Sequence, residues 1–251
     1  DDRFCLFTQS IQPVSERATR GVYFEVLLRL LEEDGRIHMP NDFLRAAERY
    51  GLMRSIDRWV VRECVHTLVA QPPPFLDLLS TCSINLSPVS LGDETFLDFL
   101  EDEIAASGVP PGKLCFEITE TAAIANFSQA SRFIQALKEL GCKFALDDFG
   151  TGLSSFGYLK HFPVDFLKID GSFVKEILHD PIDREMVRSI NEIGHLTGKQ
   201  RGDVTIGRLN QAFPASADYD AAKIGVFLAS VVAATVGFLL LYRRESPVGG
   251  R

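Results

Sequence analysis

Acidic and amide side chains recur at the ends of short apolar runs along the chain. Asp147 and Asp148 end one such run in LDDFGTG, and Glu117 and Glu120 lie in FEITET. The other polar residues of this kind are Glu25 and Arg29 in EVLLRL, Asn85 in SINLS, and Lys168 and Asp170 in LKID. Carboxylate and amide oxygens are hard ligands that suit Mg²⁺ or Mn²⁺ better than zinc. If these runs are neighbouring strands, the sequence predicts one divalent-metal site.

The adjacent acids Asp147 and Asp148 are the most informative pair. Neighbouring side chains of a regular strand point to opposite faces, so a fully buried strand would leave one of the two charges unpaired. A strand end where the chain bends tolerates both, and Gly150 and Gly152 can supply that bend. Two metal ions that share such ligands can clamp a phosphodiester and activate a water. The alternative is that the pair caps the next helix or lies solvated in a loop.

Two cationic residues accompany these acids. Lys168 lies between apolar Leu167 and Ile169, and a lysine inside a strand is normally paired with carboxylates, where it can orient a water or neutralise developing charge. Its alternative is an edge-strand lysine that faces solvent. Arg29 can fork onto a phosphate, and an ordinary ion pair is an equal alternative.

Short β-rich runs alternate with amphipathic helical stretches from residue 4 to about residue 198. The predicted strands are Phe4–Gln12, Val22–Leu30, Cys82–Leu86, Lys113–Thr119, Cys142–Leu146 and Phe166–Ile169. The predicted helices are Asn41–Tyr50, Ile56–Ala70, Glu94–Ala106, Ser128–Leu140 and Asp183–Leu196. Repeated βα units separated by Gly and Pro turns predict a parallel sheet and, at this length, an α/β barrel. In such barrels the chemistry lies at the C-terminal ends of the strands.

Composition narrows the partners and the compartment. The chain carries 26 basic and 34 acidic residues, for a net charge of −8, which argues against a polynucleotide-binding surface because that requires a basic stripe. A small phosphate ligand is compatible with this balance.

The cysteines are Cys5, Cys64, Cys82, Cys115 and Cys142, with no C-x-x-C pair. They are predicted to be buried free thiols in a reducing compartment, and a disulfide framework or metal cage is the alternative.

The pattern changes after Gly198. Residues 199–220 are polar with little periodicity, and Ile224–Tyr242 is an uncharged apolar run of 19 residues, which matches a membrane-spanning helix. Its small residues lie four apart and form a ridge suited to helix packing in membranes; they are Gly225, Ala229, Ala233 and Gly237. The predicted segments are a β/α barrel at 1–198, a linker at 199–220, a membrane-spanning helix at 221–244 and a tail at 245–251.

The runs EVLLRL, SINLS, FEITET and LDDFGTGLSSFGYLKHFPVDFLKIDGSFV, in this order and spacing, resemble the EAL-domain family over residues 4–198. Members are bacterial phosphodiesterases that linearise cyclic di-GMP on a modified TIM barrel with two Mg²⁺ or Mn²⁺ ions. Glu25-Val26-Leu27 stands where the family has its name-giving Glu-Ala-Leu.

The resemblance implies a role for each matching residue. The metal ligands would be Glu25, Asn85, Glu117, Asp147 and Asp148. Lys168 would orient the water, Glu120 would brace the loop after Asp148, and Gln9 and Arg29 would contact the nucleotide. Ca²⁺ is expected to inhibit.

Two departures from the family follow Gly198. The family continues with a seventh strand carrying Ala-Glu-Gly-Val-Glu, whose first glutamate completes the catalytic set, and an eighth strand with a Gln-Gly pair. Neither motif occurs after Gly198, so the resemblance implies a barrel that lacks the last two βα units. Residues 212–244 instead resemble the last transmembrane helix of bacterial sodium/proton antiporters.

The expected function is metal-dependent hydrolysis of cyclic di-GMP to linear pGpG. The alternatives are a catalytically degenerate module that binds cyclic di-GMP or a protein partner, and a non-functional fusion fragment. Expected partners are cyclic di-GMP, a second copy in a homodimer, and a membrane through 221–244, but no polynucleotide. The substrate implies the bacterial cytoplasm for the EAL-like part, with an inner-membrane anchor if 221–244 inserts.

Overall fold

The predicted alternation of strands and helices is present in the computed structural model, which describes residues 3–11, 21–151, 156–175, 177 and 179–196. The strands are β1 Phe4–Ile11, β2 Val22–Leu31, β3 Ile37–His38, β4 Leu79–Asn85, β5 Leu114–Thr119, β6 Lys143–Phe149 and β7 Phe166–Ile169. The helices are α1 Pro40–Arg49, α2 Met53–Val69, α3 Pro74–Leu78, α4 Glu94–Ser107, α5 Glu120–Ala125, α6 Phe127–Glu139, α7 Gly171–Lys175 and α8 Pro181–Leu196. Within these described ranges, 3₁₀ turns lie at Pro88–Ser90, Pro111–Lys113 and Phe156–Lys160. Strand β3 and the short helices α3, α5 and α7 were not predicted, because runs this short carry too little periodicity.

The strands form one sheet in the order β1-β2-β4-β5-β6-β7, with β3 on β2. From β2 to β7 the neighbouring strands along this path are parallel, as predicted. Strand β1 corrects the prediction because it runs antiparallel to β2. Too few residues separate Ile11 from Val22 for the crossover that parallel strands require, which takes about a dozen or more.

The parallel strands are buried on both faces. Leu79, Cys82 and Ile84 of β4 are fully buried, as are Leu114 and Phe116 of β5, because helices cover one face and side chains fill the other. Such strands appear in a sequence as near-continuous apolar runs. A polar side chain in one of them is therefore either paired or placed at a strand end.

The cysteines and the C-terminal predictions can be compared with the described residues. All five cysteines are free thiols, as predicted; four are buried and Cys5 is half-buried. The reducing compartment stays a prediction. None of the helices in the described part of the chain has the length and apolarity needed to cross a membrane. The predicted linker 199–220, membrane-spanning helix 221–244 and tail 245–251 lie outside the described residues.

Candidate metal and catalytic site

Three carboxylates from different parallel strands of the sheet converge. Glu25 of β2, Glu117 of β5 and Asp147 of β6 each offer an oxygen, and these oxygens lie within 4.8 Å of one another. In the strand register Glu117 pairs with Ala145, two residues before Asp147, and with Asn85, two residues after the Ser83 that pairs with Glu25. Residues two apart on a strand share a face, which explains the convergence. We call Glu25, Glu117 and Asp147 the carboxylate cluster.

Asn85, the last residue of β4, joins this cluster from the side. Its Nδ2 donates a hydrogen bond to Glu25 Oε1 at 2.6 Å. The amide oxygen of Asn85 belongs to the same class of hard ligand as the carboxylates. The structure thus brings together four of the five predicted metal ligands.

The ammonium group of Lys168 lies among the three carboxylates. Its Nζ donates to Glu25 Oε2 at 3.2 Å, to Asp147 Oδ2 at 3.0 Å and to Glu117 Oε2. The Lys168 side chain is only 13% exposed. The alternative of a lysine that faces solvent is therefore wrong, although β7 has only β6 as a partner among the described strands.

Burial and charge shift the titration of this group in opposite directions. Burial lowers the pKa of Lys168, but the carboxylates of Glu117, Asp147 and Glu25 outweigh burial and the pKa is raised. Burial also raises the pKa of Glu117 to about 7, with Lys168 opposing the rise and the other two acids adding to it. Lys168 is therefore a cation at neutral pH, while Glu117 is poised between its two protonation states.

The donor set fits a divalent cation. With all groups ionised, three carboxylates face a single ammonium, so negative charge is in excess in a poorly solvated place. Uncompensated buried charge is unfavourable unless a further cation pairs with it. A hard cation held by Glu25, Asn85, Glu117 and Asp147 would supply that charge through ligands of the right type.

Asp147 and Asp148 diverge at an irregularity in β6. The pairing of β6 with β7 shifts register between Leu146 and Phe149, and Asp148 has a positive φ of 52°. Bulges of this kind often re-aim side chains at functional sites. Asp147 faces the carboxylate cluster, whereas the carboxyl of Asp148 is hydrogen-bonded to that of Asp170.

The environment of Asp148 is also unfavourable for charge. Burial, followed by the charges of Asp147 and Asp170, raises the pKa of Asp148. Its backbone N–H donates to Asp147 Oδ1 at 2.9 Å, which fixes the two acids relative to each other. Gly150 supplies the predicted bend with a φ of 102°, and Gly152 lies outside the described residues.

Glu120 connects the end of β5 to the loop after β6. It opens α5, whose N-cap Thr119 accepts a hydrogen bond from Ala122 N–H, and its side chain is fully buried. Oε2 accepts from Gly150 N–H at 2.9 Å, and Oε1 accepts from the Tyr158 hydroxyl. Glu120 therefore contacts the loop after β6 directly, and its bracing role stays a prediction. Tyr158 was not predicted, although it lies within the longest of the matching runs.

Gln9 and Arg29 lie at the rim formed by β1 and β2. Gln9 is exposed and stands directly opposite Glu25 in the β1–β2 register, so the two side chains share a face. Arg29 Nη1 donates to the Leu28 carbonyl at 2.7 Å, and its guanidinium lies 5.7 Å from the Phe7 ring centroid. Among the described carboxylates none forms an ion pair with Arg29, which leaves its phosphate-binding role as a prediction.

Comparison with known proteins identifies the family of this chain. The model of the EAL domain matches residues 4–200, and the chain belongs to the EAL-domain family. Cyclic di-GMP phosphodiesterase PdeB of Shewanella oneidensis is 39% identical over 198 residues, which cover 79% of this chain and 23% of that protein. Cyclic di-GMP phosphodiesterase PdeA of Borreliella burgdorferi is 36% identical over 195 residues, which cover 77% and 28%. The chain therefore spans about a quarter of the length of these curated relatives.

Solved structures confirm the EAL-type α/β fold. The FimX EAL domain of Pseudomonas aeruginosa bound to c-di-GMP matches with a TM-score of 0.71 and 31% identity, over 90% of this chain and 86% of that one. The PaMucR phosphodiesterase in complex with c-di-GMP matches with a TM-score of 0.69 and 29% identity, over 78% of each chain.

Proposed function

We propose that this chain carries the catalytic part of a phosphodiesterase that hydrolyses cyclic di-GMP to linear pGpG with Mg²⁺ or Mn²⁺. The observation that carries the proposal is the convergence of Glu25, Glu117 and Asp147 around Lys168. Relatives named as cyclic di-GMP phosphodiesterases, at 39% and 36% identity, support the choice of substrate.

The carboxylate cluster and Asn85 would hold one divalent cation, and Asp147 with Asp148 would share a second. Cations bound in this way polarise a phosphodiester and lower the pKa of a water in their coordination sphere. These ligands lie on four parallel strands, β2, β4, β5 and β6, so little reorganisation is needed when substrate binds. Ca²⁺ prefers longer bonds and more ligands, and we expect it to support binding but not turnover.

Lys168 acts as a hydrogen-bond donor. In the metal-free chain the carboxylates of Glu117, Asp147 and Glu25 raise its pKa, so the ammonium is protonated at neutral pH and donates hydrogen bonds to them. A fixed ammonium beside Glu117 and Asp147 can orient the attacking water and stabilise charge that develops on the phosphate.

Three further residues are assigned supporting roles. Gln9 and Arg29 would contact the nucleotide from the rim of β1 and β2. Glu120, which accepts a hydrogen bond from Gly150 N–H, would brace the loop after Asp148.

Turnover by the purified chain tests the proposal. With Mn²⁺ and cyclic di-GMP we expect linear pGpG by chromatography, and we expect Glu117→Gln to reduce the rate by about 100-fold or more. Asp98→Asn is the matched control, because it removes a carboxylate from the exposed face of α4 and should leave the rate unchanged. Intact nucleotide binding without any pGpG would overturn the enzymatic proposal.

The second candidate is a module that binds cyclic di-GMP without hydrolysing it. The observation that favours it is the lack of an Ala-Glu-Gly-Val-Glu motif after Gly198. Calorimetric titration of cyclic di-GMP in Ca²⁺ separates the candidates: binding without turnover in Mn²⁺ supports the module, and turnover excludes it.

The setting of the domain follows from the substrate. Cyclic di-GMP is a bacterial cytoplasmic messenger, so we place the EAL-like part in the cytoplasm, with a homodimer as its expected assembly. An inner-membrane anchor through residues 221–244 stays part of this proposal, supported by the apolar run alone. Recovery of the full chain in the membrane fraction, resistant to alkaline extraction, would support the anchor, and a fully soluble chain would contradict it.

A further inference from the structure

A buried carboxylate lies outside the cluster, on the inner face of α2. Asp57 is 4% exposed and occupies a position at helical spacing with Met53, Val60 and Cys64, all of them buried. An apolar residue is expected at such a position, so the sequence pattern alone marks Asp57 as unusual. Burial raises the pKa of this carboxyl, with hydrogen bonds from Ser87 and Ser90 opposing the rise.

Asp57 accepts three hydrogen bonds from the turn that follows β4. Its Oδ2 accepts from Ser87 N–H at 3.0 Å, from Ser87 Oγ at 2.5 Å and from Ser90 Oγ at 2.6 Å. Ser87 and Ser90 are themselves buried. These hydrogen bonds connect the start and the end of the turn at Pro88–Ser90 to α2.

The turn begins three residues after Asn85. On the strand side, Leu86 N–H donates to the Glu117 carbonyl at 2.9 Å. On the helix side, Ser87 is fixed by Asp57. Hydrogen bonds therefore fix the backbone directly after Asn85, the last residue of β4. The Asn85 side chain is exposed, and its Nδ2 donates to Glu25 Oε1 at 2.6 Å.

Packing alone does not account for a carboxylate at this position. An apolar side chain of similar volume would pack α2 against the sheet without the desolvation that a buried acid requires. A carboxylate with several short hydrogen bonds fixes the geometry of the turn. Mutation of a residue that orients a metal ligand without touching the metal commonly lowers metal affinity or activity by about 10- to 100-fold.

We infer that Asp57 is a positioning residue for Asn85: through Ser87 and Ser90 it sets where the Asn85 amide meets the carboxylate cluster, and so sets the affinity of the site for a divalent cation. The inference deepens the proposed function and rests on it only in requiring that the cluster binds such a cation.

A double-mutant cycle on Mn²⁺ affinity tests the inference. Asp57→Ala in the wild-type background should weaken Mn²⁺ binding about 10-fold. In an Asn85→Ala background the same substitution should cost less than about 2-fold, because the ligand it positions is gone. Asp57→Asn keeps the volume and one acceptor oxygen and should fall between. Equal losses in both backgrounds, or no loss in either, would overturn the inference.

A matched control separates positioning from general destabilisation. Asp165 accepts hydrogen bonds from Phe144 N–H at 2.8 Å and Lys138 Nζ at 2.6 Å near the start of β6, at the end of the sheet away from Asn85. Asp165→Ala should lower the free energy of unfolding without changing Mn²⁺ affinity. Equal losses of Mn²⁺ affinity in Asp165→Ala and Asp57→Ala would assign the effect to the fold and overturn the inference.

The fold of each variant is monitored by Trp59, the only tryptophan, which lies on α2 with its ring 5.5 Å from that of Phe4. If Asp57→Ala fails to fold, Ser87→Ala and Ser90→Ala each remove one hydroxyl donor and should give a smaller loss that again depends on Asn85. Unchanged Mn²⁺ affinity in both serine variants would overturn the inference.

Failure of the proposed function and failure of the inference about Asp57 give different results. Wild-type protein that binds Mn²⁺ but releases no pGpG would refute the proposed function. The double-mutant cycle of Asp57 and Asn85 could still be interpreted, because it measures Mn²⁺ affinity. Wild-type protein that binds no Mn²⁺ would refute both.

Discussion

At the residue scale, the site behaves as one coupled group of charges. Lys168 meets Glu25, Glu117 and Asp147 within hydrogen-bond distance, and it is the cation that makes three neighbouring carboxylates tolerable. A divalent cation bound by the carboxylate cluster would stabilise the same acids as Lys168, so each should partly replace the other.

Replacing Lys168 with methionine tests this relation. In chelator, Lys168→Met should lower the free energy of unfolding by about 3 kcal/mol, because the partners of a buried ion pair are left without their cation. Saturating Mn²⁺ should restore most of that loss, while turnover stays at least about 100-fold below wild type. Urea denaturation with and without Mn²⁺ measures the effect. Lys138→Met, which removes the partner of Asp165, should show no such rescue, and a Lys168→Met loss insensitive to Mn²⁺ would contradict the account.

In the metal-free protein, Glu117 makes the free energy of unfolding depend on pH, and the sign of this dependence follows from the direction of its pKa shift. Burial raises its pKa from 4.5 to about 7 in the folded chain, so between these values the folded state holds more protons than the unfolded state. Stability then falls as pH rises through this window, by on the order of 3 kcal/mol at most.

Comparison with Glu117→Gln isolates this contribution. Urea denaturation in chelator from pH 4.5 to 7.5 should show wild type losing stability relative to Glu117→Gln as pH rises. Mn²⁺ should reverse the trend, because it binds the ionised form. A stability difference between the two proteins that does not change with pH would show that Glu117 titrates normally.

At the element scale, the loop after β6 depends on contacts from three other elements. Gly150 has a φ of 102°, and its N–H donates to Glu120 at 2.9 Å. A Cβ at this position would lie 2.9 Å from Phe173 Cε2 and 3.2 Å from Ile190 Cδ1. Helices α5, α7 and α8 thus hold the segment that places Asp147.

Gly150→Ala should disturb both the loop and the site. The positive φ and the close contacts predict a loss of about 1–3 kcal/mol in the free energy of unfolding and about 10-fold weaker Mn²⁺ binding. Gly108→Ala is the matched control, because Gly108 caps α4 with a φ of 75° and a Cβ there meets nothing within 4 Å. It should cost about 1 kcal/mol and leave Mn²⁺ affinity unchanged. Equal Mn²⁺ affinity in the two variants would contradict a role for the loop in the site.

Strand-end chemistry could be predicted from the sequence because parallel strands present their C-terminal ends at one edge. Applied to the sequence alone, this rule predicts that Glu25, Asn85, Glu117, Asp147 and Lys168 lie close together. It could not separate Asp147 from Asp148, since the bulge in β6 depends on its pairing with β7.

The same rule cannot predict side-chain contacts between residues that are far apart in the sequence. Tyr158 meets Glu120 across 38 residues and Asp57 meets Ser87 across 30, and no local periodicity encodes either pairing. Only the position of Asp57 on an apolar helix face hinted at a buried polar contact.

At the scale of the whole molecule, substrate and metal should stabilise the chain by mass action. Cyclic di-GMP at about 100 times its dissociation constant, in Ca²⁺, should add about 2.7 kcal/mol to the free energy of unfolding. For a chain of this size that corresponds to a Tm increase of about 5–10 °C, measured by differential scanning calorimetry.

Arg29→Ala provides the comparison for that measurement, because it removes a proposed nucleotide contact at the rim and leaves the carboxylate cluster intact. Its Tm should increase less at the same ligand concentration. A wild-type Tm that is unaffected by cyclic di-GMP would contradict nucleotide binding.

Mn²⁺ binding by the carboxylate cluster is measured most directly by electron paramagnetic resonance, since the signal of free Mn²⁺ disappears on binding. Titration of wild type, Glu117→Gln and Asp98→Asn should show saturable binding in wild type and Asp98→Asn, and binding weakened at least about 10-fold in Glu117→Gln. Equal affinity in all three proteins, or no binding in wild type, would contradict a metal centre built on Glu25, Glu117 and Asp147.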